Sequence, residues 1–168
     1  MLCKTVLFVC YGNICRSPMA EGFLNMLLEK NEKPVEVKAL SAGLNAFGGL
    51  PTPEAIETMR EEGIGISGFS SRQLTEELIE EADLILITTK HYEDEVLSCH
   101  PEAKQKVFTL KELAGETQNL DIEDPYGEGM EACKKCAKEI KQSLAKACKK
   151  IFEEGGILAL LSENWFKP

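Results

Sequence analysis

Three residues of this chain have the types and placement to act on a phosphate: Cys10, Arg16 and Asp124. Cys10 and Arg16 bracket the run Cys10-Tyr11-Gly12-Asn13-Ile14-Cys15-Arg16, which continues as Ser17-Pro18. A thiolate is a strong nucleophile, and a thiol that faces several N–H dipoles and a guanidinium ionises readily. A guanidinium holds a tetrahedral oxyanion through two parallel hydrogen bonds. Asp124, directly before Pro125, is a candidate proton donor to a leaving oxygen. An aspartate before proline is also an ordinary turn former, and Asp121, Glu123 and Glu128 are neighbouring competitors for the acid.

The elements around this run are those that an anion site needs. The apolar Val6-Leu7-Phe8-Val9 reads as a strand and residues from Ser17 to about Lys30 as a helix. A strand turning through a short loop into a helix aims free N–H groups and the positive end of the helix dipole at one point. The candidate phosphate ligands are therefore the loop residues Tyr11, Gly12, Asn13, Ile14 and Cys15, together with Arg16. Ser17 is expected as the N-cap and Pro18 as the first helical residue. Gly12 and Asn13 both tolerate left-handed backbone. Cys15 is either a small apolar filler or a thiol that condenses with an oxidised Cys10. Loop curvature should bring the two within the ~7 Å Cα limit for a disulfide.

Residues 10 to 18 resemble the phosphate loop of the low-molecular-weight protein tyrosine phosphatases. Asp124-Pro125-Tyr126-Gly127 is similar to that family's second motif, and Ser41-Ala42-Gly43 and Ser71-Arg72-Gln73-Leu74-Thr75 are similar to segments between them. The resemblance spans roughly residues 4 to 152. It implies one three-layer α/β domain over residues 1–154, with a four-stranded parallel sheet in the order 2-1-3-4 and helices on both faces. The implied activity is hydrolysis of phosphate monoesters through a cysteinyl phosphate, without metal or cofactor. Cys10 is then the nucleophile, Arg16 the clamp and Asp124 the acid. Ser17 is implied to hydrogen-bond Cys10, Asn13 to fix the loop, and Ser41 to hold Asn13, although Ser41 also reads as a plain turn residue. Phe47 matches a rim aromatic, or is simply packed down. The family often carries two aromatics after Asp-Pro. Here Gly127 follows Tyr126, so one wall of the aryl pocket is either missing or supplied by Tyr11 or Phe47. Substrates would be phosphotyrosine proteins or small aryl phosphates, and phosphate-like oxyanions would inhibit. Relatives that hydrolyse phosphoarginine carry Thr where this chain has Ile14, which favours phosphotyrosine. Family members also use a cysteine pair like Cys10 and Cys15 for redox protection.

The whole chain bounds these readings. Its 168 residues suit one domain. A net charge of −9 argues against a nucleic-acid partner. No stretch approaches a membrane span or a signal-peptide core. Seven cysteines without such a signal suggest reduced thiols in a cytoplasmic protein.

Strands are expected at Lys4–Cys10, Val35–Leu40, Asp83–Thr88 and Lys106–Leu110, and helices at 53–62, 74–81, 91–98 and 129–154. Lys33-Pro34 should end the first helix, and Ser41-Ala42-Gly43 should close the second strand. The last helix carries an apolar stripe from Cys133 to Ile151 that includes Cys136 and Cys148. Its Cys-x2-Cys lacks a second ligand pair and reads as core. The only histidines, His91 and His100, are expected at the surface. The apolar tail 155–168 has no assigned role, and oligomeric state is left open.

Two other functions compete. A thiol-dependent arsenate reductase on the same fold would need a resolving cysteine pair near Asp83 to Lys90, where there is none; Cys99 lies beyond and alone. A non-catalytic phosphate-binding module would keep the loop and Arg16 without needing Asp124.

Overall fold

The computed structural model describes residues 4–30 and 37–153, with side chains up to 149. The N-terminal apolar run forms β1 (Lys4–Cys10), buried at every position after Lys4. A strand that is apolar on both sides needs cover on both sides, which suits the middle of a parallel sheet. β1 lies there, between β2 (Val37–Gly43) and β3 (Leu84–Ile87), with β4 (Val107–Thr109) at the edge beyond β3. All three pairings are parallel, and the order β2-β1-β3-β4 is the expected one.

Alternation along the strands divides the core in two. Val6, Phe8, Leu84 and Leu86 face α1 (Arg16–Lys30), α2 (Pro53–Glu61), α5 (Leu110–Leu113) and α6 (Met130–Glu153). Leu7, Val9, Ile85 and Ile87 face α3 (Glu76–Glu81), α4 (His91–Cys99) and the 3-10 turn Pro101–Gln105. The α6 stripe from Cys133 to Cys148 is buried as its 3.6-residue period requires. Burial pushes the thiols of Cys136 and Cys148 upward, so they act as apolar filler. Among the described residues no group of side chains is arranged to hold a metal ion, and no helix is long and apolar enough to cross a membrane.

Several boundaries differ from expectation for local reasons. α1 begins at Arg16, so Ser17 lies inside the first turn and Pro18 is its third residue. Proline is still accommodated, because the first-turn N–H groups have no helical acceptor. β2 does not close before Ser41 but runs through Gly43, since Ser41, Ala42 and Gly43 pair with Phe8, Val9 and Cys10. α3 starts two residues later than expected, with Thr75 as N-cap, because Gln73 instead bridges to Gly43. Leu110 leaves β4 to open α5, where Thr109 and Glu112 form a reciprocal cap. His91 and His100 lie beside Glu95 and Glu102 on the surface side of α4 and the 3-10 turn. The expected helix end at Lys33-Pro34, the start of β2 at Val35, the side chain of Ile151 and the tail 155–168 lie outside the described residues.

Candidate active site

Cys10 ends β1 and is 2% exposed. The Asn13 N–H points at its sulfur, 3.3 Å away, and Ser17 Oγ lies 2.9 Å from it on the other side. Asn13 is fully buried and left-handed, with φ of 55°. That strain is held by three hydrogen bonds that use its whole amide. Nδ2 donates to Ser17 Oγ (2.7 Å) and to Ser41 Oγ (3.1 Å), while Oδ1 accepts from the Arg72 N–H (2.9 Å). Ser41 in turn donates to the half-buried carboxylate of Glu21. The donor directions follow along the chain. Ser17 and Ser41 both accept from Asn13, so the Ser17 hydroxyl hydrogen is left to face the Cys10 sulfur at 2.9 Å and, more distantly, the Ala42 carbonyl at 3.5 Å. Burial raises the Glu21 pKa, and the bond from Ser41 and the nearby Arg72 charge partly oppose this.

The loop is clamped from below as well. Ser71 Oγ donates to Gly12 O (3.1 Å). A Cβ at Gly43 would lie 2.7 Å from Tyr11 O and 2.9 Å from Asn13 N, so only glycine lets the end of β2 touch the loop. Leu44 and Asn45 then donate backbone hydrogen bonds to Cys10 and Tyr11.

Arg16 is 2% exposed, yet four bonds hold its guanidinium. Nη1 donates to Thr89 Oγ1 (3.0 Å) and to Ile122 O (2.9 Å). Nη2 donates to Tyr92 Oη (3.2 Å) and pairs with Asp124 Oδ2 (3.2 Å). Burial opposes the Arg16 charge, but Cys10, Asp124 and Tyr92 outweigh it and the net shift is upward. Asp124 Oδ1 meanwhile accepts the Tyr126 N–H (3.1 Å), so the turn reading and the site reading of this residue hold together. Its competitors are spent or aimed elsewhere. Asp121 accepts the Lys90 N–H, and neither Glu123 nor Glu128 lines the cavity into which Cys10 and Arg16 open.

Cys10, Arg16 and Asp124 open into a cavity of about 310 Å³. Ile14, Tyr11, Phe47 and Tyr126 line it, so both residues expected as substitutes for the second aromatic are at this cavity. Phe47 is 89% exposed, which excludes the packed-down reading. Cys15 also lines this cavity; its Sγ is 3.1 Å from Thr52 Oγ1, and burial pushes its pKa up to about 12. Sequence reasoning did not find Thr89, Tyr92 or Ile122 as supports of Arg16, nor Glu21 behind Ser41. The first three come from separate elements and carry no motif. Glu21 sits four residues after Ser17 on one helical face, and that spacing could have pointed to it.

The sequence model of the low molecular weight phosphotyrosine protein phosphatases matches residues 5–156. A probable low molecular weight protein-tyrosine-phosphatase, EpsP, of Ralstonia solanacearum is 42% identical over 130 residues, covering 77% of this chain and 83% of that one. A protein-arginine-phosphatase of Bacillus subtilis is 37% identical over 147 residues, covering 87% and 95%. Among solved structures, the low molecular weight protein tyrosine phosphatase from T. tengcongensis superposes with a TM-score of 0.81 at 40% identity, covering 88% of this chain and 99% of that one. A strand-loop-helix cradle for an oxyanion, a parallel sheet in the order 2-1-3-4 and relatives matched over nearly their whole length converge, and the chain belongs to the low molecular weight phosphotyrosine protein phosphatase family.

Proposed function

We propose that this enzyme hydrolyses phosphate monoesters through a phosphorylated Cys10, with Asp124 as acid and then base. The observation that carries it is the shared Arg16. Its Nη1 is fully committed to Thr89 and Ile122, so the guanidinium plane is set before substrate arrives. Its Nη2 is held in part by Asp124. A phosphate that binds Nη2 replaces the Asp124 carboxyl there and frees it at the mouth, where the leaving oxygen departs. The Cys10 thiolate attacks phosphorus in line. Arg16 and the loop N–H groups hold the equatorial oxygens as charge develops on them. Asp124 gives its proton to the departing oxygen. Water then attacks the phosphorus, Asp124 takes its proton, and the sulfur leaves as a thiolate that accepts from Ser17. No step calls for a metal.

The mouth supports an aryl phosphate. Ile14 offers no hydrogen-bond donor, and the aromatic lining suits a flat ring. Phosphotyrosine proteins or small aryl phosphates are the proposed substrates, and a reducing cytosol the proposed setting for an enzyme with a free Cys10. The relatives include both protein-tyrosine- and protein-arginine-phosphatases, so the decisive comparison is kcat/KM on phosphotyrosine against phosphoarginine proteins, without metal. The account expects phosphotyrosine to be preferred. A higher value on phosphoarginine reverses the assignment of substrate and leaves the phosphocysteine chemistry standing.

A further inference from the structure

The exposed large apolar side chains among the described residues are Tyr11, Phe47, Leu50 and Tyr126. Three of them line the phosphate cavity, but Leu50 does not. Leu50, 63% exposed, lines a separate cleft of about 470 Å³ between the segment entering α2 and the Asp124 loop. Its other walls include Pro51, Pro53, Pro125 and Tyr126, three of them rigid rings with no free N–H. Glu54 is the one charged residue lining it. The two cavities share Ile14, Cys15 and Tyr126, so they are one side chain apart.

On a chain of net charge −9, gathering the exposed apolar side chains around one mouth marks a surface made for a partner. The partner is the substrate polypeptide itself, because the cleft adjoins the phosphate cavity and shares Ile14, Cys15 and Tyr126 with it as walls. Successive residues of an extended chain advance about 3.3–3.6 Å, so a residue one or two places from the phosphorylated one reaches the neighbouring cleft. The backbone of the cleft wall is held in place. The Thr52 N–H donates to Ile14 O (2.9 Å), and Gly49 O accepts from the Ser71 N–H (2.9 Å).

We infer that the Leu50 cleft is a specificity subsite that takes an apolar side chain one or two residues from the phosphotyrosine and rejects an acidic one. This rests on the proposed phosphatase reading. The apolar walls gain from excluding water around a leucine-sized group, whereas an aspartate there would face Glu54 at close range. Because the subsite touches the flanking residue and not the reacting phosphate, it acts on peptides and leaves free aryl phosphates alone.

The test is kcat/KM on phosphotyrosine peptides carrying Leu or Asp at each of the two positions on either side, beside p-nitrophenyl phosphate. Wild type should prefer Leu over Asp by about tenfold at one or two of these positions. Leu50→Asp should bring that ratio to within about twofold of unity and leave p-nitrophenyl phosphate turnover unchanged, since the altered side chain is exposed. Leu50→Ala should give an intermediate ratio. Hydrolysis of every peptide with no Leu preference, or a preference untouched by Leu50→Asp, overturns the subsite and spares the phosphatase. No hydrolysis of any aryl phosphate by wild type overturns both.

Discussion

Cys10, Asn13, Ser17 and Ser41 are at most 2% exposed, whereas Tyr11, Tyr126 and Phe47 at the mouth are 47%, 64% and 89% exposed. The floor of the site is over-determined. Asn13 spends every donor and acceptor of its amide, and Arg16 is held from β3's exit, α4 and the loop before Asp124. The mouth is carried on loops, and Asp124 has a half-exposed side chain with a single ion-pair partner, Arg16. The difference separates two jobs. The reacting phosphate must meet fixed dipoles, because stabilisation of developing charge works only when the donors need not reorganise. On the proposed mechanism the acid exchanges partners during turnover, and on the proposed substrate class the aromatic rim admits polypeptides. A rigid floor and a pliant mouth let substrate preference change without disturbing the chemistry.

The largest effects should come from breaking the floor. Cys10→Ser should lower p-nitrophenyl phosphate turnover by about 10⁴-fold or more, since nothing near the sulfur can act as a base for a hydroxyl. Its affinity for inorganic phosphate, read by calorimetry, should stay within a few-fold. Arg16→Ala should lose about 10²–10³ in rate and phosphate binding with it.

At the mouth the effects become conditional. Asp124→Asn should slow phenyl phosphates with basic leaving groups by about 10²-fold, and slow good leaving groups far less, because proton donation matters only when the departing oxygen is basic. Glu123→Gln should change either by less than about twofold, as expected of a surface substitution outside the cavity. An equal loss across the leaving-group series removes Asp124 from the acid role.

Smaller still are effects that appear only under stress. Cys15 is proposed to rescue an oxidised Cys10 by disulfide formation. After a peroxide pulse and dithiothreitol, wild type should recover most of its activity and Cys15→Ala should recover little. The Cys15 thiol, raised to about 12, presents little thiolate at neutral pH, so the rescue should quicken as pH rises. Equal recovery of both, with no Cys10–Cys15 peptide on mapping, reduces Cys15 to packing.

The smallest effect concerns Glu21. Its folded pKa lies above the ordinary carboxylate value of 4.5, because burial outweighs its bond from Ser41 and the Arg72 charge. The folded state therefore binds the proton more tightly than the unfolded state. That contribution to stability is full below the unfolded pKa and is lost as pH rises through the folded one. Glu21→Gln keeps an acceptor for Ser41 but cannot titrate. Thermal melts from pH 4 upward should show a shallower loss across that window in the variant, and parallel curves would contradict it.

What could be read from the chain and what could not divide along the same line. The floor was legible because it is local: a β-strand, a five-residue loop and a helix start put Cys10, Asn13, Arg16 and Ser17 within eight positions. The parallel, doubly covered sheet was legible because continuous apolar strands alternate with amphipathic helices, whereas its strand order came from the family resemblance. Ser17 as N-cap was the wrong local reading, since Asn13 and Cys10 compete for its hydroxyl and win. Thr89, Tyr92 and the Ile122 carbonyl escaped because they reach Arg16 across 73 to 106 positions. Such contacts exist only once the sheet has brought the ends of β1 and β3 side by side.

The central claim is that phosphate passes through Cys10. Wild-type enzyme mixed with p-nitrophenyl phosphate and quenched in acid during turnover should yield a Cys10-containing peptide heavier by one phosphoryl group, and Asp124→Asn should hold more of it because its hydrolysis lacks a base. Full turnover with phosphate on no cysteine peptide, in wild type and Asp124→Asn alike, would contradict the account.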